Sequence, residues 1–79
     1  MITVYTKPGC SRCDLTKRHL TSLDADFEMV NVGPEMLTQL AQEGFTSLPV
    51  VKLGEVAFCG FQPDKLEELV RIDSKNKDD

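Results

Sequence analysis

The sequence predicts an α/β fold, a four-stranded mixed sheet with three helices in the order β-α-β-α-β-β-α. Three observations predict it. Short runs rich in β-branched and aromatic residues alternate with helical stretches whose interiors lack Gly and Pro. Two strand-like runs are separated only by Gly54-Glu55, which suits a two-residue hairpin turn. A pair of cysteines in the segment Cys10-Ser11-Arg12-Cys13 lies where the first strand gives way to the first helix.

Taken in order, Ile2-Thr3-Val4-Tyr5 is the first strand, Pro8-Gly9 breaks it, and Ser11 to Leu23 is the first helix. On that helix Cys13, Thr16, Leu20 and Leu23 form one stripe, which should pack on the sheet and leave Cys13 more buried than Cys10. His19 borders the stripe. Asp24 ends the helix where Gly would be usual. Phe27 to Val32 is the second strand, reached through a helix and therefore parallel to the first with a right-handed crossover. Gly33-Pro34-Glu35 opens the second helix, and Met36, Leu37, Leu40 and Ala41 are its expected buried face. Gly44 is its C′ residue, with Phe45 folding back on the last turn. Val50 to Leu53 and Val56 to Cys59 are an antiparallel pair. Gln62 to Ile72 is the closing helix, with Leu66, Leu69, Val70 and Ile72 apolar. Residues 1–72 make one domain, and Asp73 to Asp79 read as a polar, disordered tail.

Composition narrows the function. With 79 residues and 41% hydrophobic content, the chain can fold around a single core. No apolar run approaches the length of a membrane span, and no basic or apolar leader precedes the first strand. Free cysteines without such a leader point to a reducing compartment, the cytoplasm. A net charge of -4 argues against nucleic acid. Yet residues 1–20 hold Lys7, Arg12, Lys17 and Arg18 against Asp14 alone, a basic collar that suits a thiolate or an acidic partner surface.

A Cys-x-x-Cys beside a strand–helix–strand pattern points to a thioredoxin-like redox site. With Cys10 at the N-cap, Cys13 falls one turn along on the same side, and the two sulfurs can meet with little backbone movement. The helix N-terminus, Lys7 and Arg12 favour a Cys10 thiolate, while Asp14 in the first turn opposes it. Bringing an ordinary thiol close to neutrality takes about 2 kcal/mol, within reach of a helix end and a cation. A structural staple is the competing reading. Bridging Cys10 and Cys13 would close a tiny loop worth roughly 2 kcal/mol, against about 4 for a bridge from Cys10 to Cys59. The spacing suits a reversible switch better than a staple. Cys59 itself reads as a small buried strand residue.

A metal module is a rival, since Cys10, Cys13, Cys59 and His19 amount to a Cys₃His donor set. His19 lies about 13 Å along the helix from Cys10, too far to share an ion. No metal and no cofactor are therefore expected. An iron–sulfur cluster shared between two copies stays open, and a colourless, zinc-free protein would dismiss it.

The element order and the cysteine pair resemble the glutaredoxin branch of the thioredoxin fold, from Ile2 to about Arg71. Tyr5-Thr6, Cys10-Ser11-Arg12-Cys13, Thr16-Lys17-Arg18, Phe27-Glu28-Met29, Gly44-Phe45, Leu48-Pro49-Val50-Val51 and Gly60-Phe61-Gln62-Pro63-Asp64 resemble the NrdH-type redoxins within it. Phe58-Cys59 stands where those proteins carry Trp-Ser. The resemblance implies a cis Leu48-Pro49 peptide facing the cysteines, where an incoming extended segment could pair. It also implies a monomeric electron donor, reduced by thioredoxin reductase and passing electrons to ribonucleotide reductase. Glutathione-binding relatives carry small residues and an Asp where this chain has Phe61 and Gln62. Pro8, Leu48, Pro49, Gly60, Phe61 and Gln62 are accordingly expected to form an apolar rim for a protein partner. Phe61 as a core aromatic covering the helix start is the plainer reading, and a glutathione-dependent glutaredoxin is the alternative function.

Overall fold

The computed structural model describes residues 1–77. Its elements are β1 (Ile2–Thr6), α1 (Ser11–Ser22), β2 (Phe27–Asn31), α2 (Pro34–Gln42), β3 (Val50–Leu53), β4 (Val56–Cys59) and α3 (Pro63–Lys77). The sheet runs β2-β1-β3-β4. β1 is parallel to β2, with Ile2 opposite Phe27, and antiparallel to β3, with Val4 opposite Val51. This is the arrangement of four strands and three helices that the sequence predicts.

Alternation along the strands decides the layers. Ile2, Val4, Val51 and Phe58 point to one face and make the core with Leu20 of α1 and Leu66 and Leu69 of α3. On the other face Lys52 reaches Glu43 at 3.2 Å and lies over the rings of Tyr5 and Phe45, which fastens the C-terminal end of α2 to the sheet.

Both helix-to-strand connections open on the motif that the turn residues predict. The α1 end has Ala25 N–H on the Leu20 carbonyl and Asp24 N–H on that of Thr21, with Asp24 at φ 56°. The α2 end repeats it, with Phe45 on Leu40 and Gly44 on Ala41. In the β3–β4 turn only Gly54 has positive φ, which fits a type II′ hairpin.

Two expectations need correction, the buried face of α2 and the C-terminal tail. Of the face expected to be buried on α2, only Leu40 is; Met36 is half-buried, and Leu37 and Ala41 are exposed, because they line an open groove instead of meeting the sheet. On α3, Ile72 is exposed and Asp73 is buried. The helix also runs to Lys77, past Ile72, so most of the expected tail is helical; Asp78 and Asp79 lie outside the described residues. The reason is register. Asp73 follows Leu66 and Leu69 on the same helical stripe, and its carboxylate meets the Met1 ammonium at 3.2 Å, at the start of β1.

Candidate functional site

The site begins where β1 ends. Pro8-Gly9 turns the chain, with Gly9 at φ 78°, a left-handed conformation that a side chain at that position would strain. Cys10 follows in an extended conformation as the N-cap of α1, and its Sγ accepts the Cys13 N–H at 3.2 Å. A sulfur thus occupies the place usually taken by a capping Ser or Asp oxygen, facing the unpaired N–H groups of the first turn. The Cys10 carbonyl takes the Asp14 N–H at 3.2 Å, closing that turn.

The two thiols differ in environment. Cys10 is half-exposed and Cys13 is 1% exposed, and neither is in a disulfide. Burial pushes the Cys13 thiol up, the Cys10 sulfur adds to this, and hydrogen bonds from the Thr6 hydroxyl and the Lys7 backbone partly oppose it. Thr6, buried at the end of β1, is a site residue to which the sequence alone assigns no role, although Tyr5-Thr6 is part of the NrdH-type resemblance and the position lies on the inward face of the strand.

Around the pair, Lys7, Pro8, Arg12 and Asp14 are all exposed. The Leu48–Pro49 peptide is cis, and the Pro49 ring is buried. The Pro49 carbonyl accepts the Gly60 N–H at 2.8 Å, which ties the loop before β3 to the loop before α3. Gln62 donates from its side-chain amide to the Cys59 carbonyl at 2.8 Å, bracing the start of α3. Phe61, between these two ties, is half-buried against the core and meets His19 of α1 edge-on, with centroids 6.0 Å apart. Leu48 and Lys7 lie on the other side, in a groove of about 390 Å³ whose walls include Leu37, Leu40, Ala41 and Phe45. Of the expected rim residues, Leu48 thus lines the groove, beside Lys7, while Gly60, Phe61 and Gln62 sit on a braced loop tied to the buried Pro49, and Pro8 is exposed before the cysteines.

Cys59 is half-exposed instead of buried, because it closes the edge strand β4. Among the described residues no three His, Cys, Asp or Glu side chains gather to hold a metal ion. No helix among them is long and apolar enough to cross a membrane.

Comparison with known proteins matches this geometry. The glutaredoxin family model matches residues 2–58. The glutaredoxin-like protein NrdH of Escherichia coli is 43% identical over 70 residues, 86% of each chain. The Lactococcus lactis NrdH is 34% identical over 71 residues, 87% of this chain and 99% of that one. The solved structure of the Escherichia coli NrdH-redoxin superposes with a TM-score of 0.80, over 86% of this chain and 92% of the other. A glutaredoxin from Archaeoglobus fulgidus, 28% identical, superposes at 0.74 over 89% and 85%.

Proposed function

The chain belongs to the glutaredoxin family, as an NrdH-like redox protein, and on that premise we propose that it is a dithiol electron donor to ribonucleotide reductase, itself reduced by thioredoxin reductase. The observation that carries the chemistry is the Cys13 N–H on the Cys10 sulfur, with Cys10 open to solvent and Cys13 beneath it.

The reaction follows from that asymmetry. The Cys10 thiolate attacks one sulfur of a disulfide; a Cys10 mixed disulfide forms, and the departing sulfur takes a proton. Cys13 gives up its proton and attacks the Cys10 sulfur. The partner leaves as a dithiol, two electrons richer, and the Cys10–Cys13 disulfide remains. A reductase dithiol returns two electrons by the same steps in reverse.

Phe61 supports a protein as the electron source. An aromatic ring fills the position where glutathione-dependent relatives need a small residue, and it gives a flavoprotein reductase an apolar surface to dock against. The solved Escherichia coli relative is described as having a thioredoxin-like activity profile, which agrees with that reading. We place the protein in the cytoplasm, as a monomer serving deoxyribonucleotide synthesis and binding neither nucleic acid nor membrane.

The test is one comparison. NADPH oxidation with a model disulfide should be robust with thioredoxin reductase and poor with glutathione and its reductase. Turnover with glutathione alone would make the chain an ordinary glutaredoxin.

A further inference from the structure

We propose that His19 is a positioning residue for protein docking: its ring is the support that holds Phe61 at a fixed offset from Cys10. This rests on the reading of Phe61 as part of the surface a protein partner meets.

Three ties hold the loop that carries Phe61. Two act on its backbone, Gly60 N–H to the Pro49 carbonyl and the Gln62 amide to the Cys59 carbonyl, each 2.8 Å. The third acts on the ring itself, which leans on the core and meets the His19 ring at 87°, centroids 6.0 Å apart. That is the edge-to-face arrangement aromatic pairs prefer.

The His19 Nε2 is buried without a hydrogen-bond partner, a cost that an aliphatic side chain at the edge of the α1 stripe would avoid. What the imidazole supplies is a flat, rigid ring. His19 also sits on the helix that carries both cysteines, six residues beyond Cys13. A partner that rests on Phe61 while presenting its disulfide to Cys10 needs the distance between those two points held constant. Fastening Phe61 to the cysteine helix does that. Small disulfides, which touch only the sulfur, have no such need.

The experiment compares wild type, His19→Ala and His19→Phe. Two assays are run: KM and kcat toward thioredoxin reductase, and the rate at which the pre-reduced proteins reduce insulin and a small aromatic disulfide. His19→Ala should raise KM for the reductase roughly three- to tenfold, with kcat near wild type. It should slow insulin reduction comparably and leave the small disulfide untouched. His19→Phe should restore both protein reactions. Equal losses on small and protein disulfides would mean that His19 merely supports the thiol site, and unchanged rates with both proteins would remove it from docking; either result overturns the proposal. If wild type is turned over by glutathione and not by the reductase, the donor reading fails alone. The ratio of insulin to small-disulfide rates then still decides the role of His19.

Discussion

At the residue scale, one buried thiol under one half-exposed thiol makes the proposed order of events testable. Cys10→Ser should abolish disulfide reduction, since the buried Cys13 cannot reach a partner's sulfur. Cys13→Ser should let the first step proceed and stop there, accumulating mixed disulfides visible on non-reducing gels. Retained turnover in the first variant, with nothing trapped by the second, would reverse the roles. Cys59→Ser should leave the rate within about twofold of wild type, because Cys59 lies at the end of the edge strand outside the exchanging pair; a large loss would bring it into the mechanism. The placement of the two thiols, Cys10 at the cap and Cys13 buried, was legible in the sequence because both depend on local rules, a cap position and a stripe at helical spacing. His19 was not. Its ring contact is with Phe61, 42 residues away, and only the docking of α1 beside the loop before α3 creates it.

At the scale of elements, the strands and both helix ends were legible, since Gly54 and Gly44 announce their turns through backbone demands that few other residues meet. The exposed face of α2 was not, because an apolar stripe has the same spacing whether it meets a sheet or walls a groove. The length of α3 was hidden by its composition. Asp-Ser-Lys-Asn-Lys reads as solvated chain until β1 brings the Met1 ammonium beneath Asp73. That contact can be measured. Asp73 is buried, but its partner is 58% exposed, so solvent screens much of the attraction. Asp73→Ala should cost about 1 kcal/mol. For a domain of this size that lowers Tm by roughly 4–8 °C. An unchanged Tm would mean that the contact between Asp73 and the Met1 ammonium contributes nothing to the fold.

On the scale of the whole molecule, the redox state of the pair should set how stability responds to pH. Burial raises the Cys13 thiol above its ordinary value, so the folded chain holds that proton more tightly than the unfolded one. The sign follows from linkage. The stabilisation is complete below the unfolded thiol value of about 8.5 and is lost as pH rises through the higher folded value. In the oxidised protein neither sulfur carries a proton, and this contribution is absent. Denaturation midpoints of the reduced form should therefore fall more steeply above about pH 8.5 than those of the oxidised form, which lacks both thiols and keeps every other titrating side chain. Cys13→Ala, kept reduced, should lose most of the extra slope. The same slope in reduced wild type and reduced Cys13→Ala would show that Cys13 titrates as freely in the folded chain as in the unfolded one. Burial would then be no reason for Cys13 to wait, protonated, until Cys10 has formed the mixed disulfide.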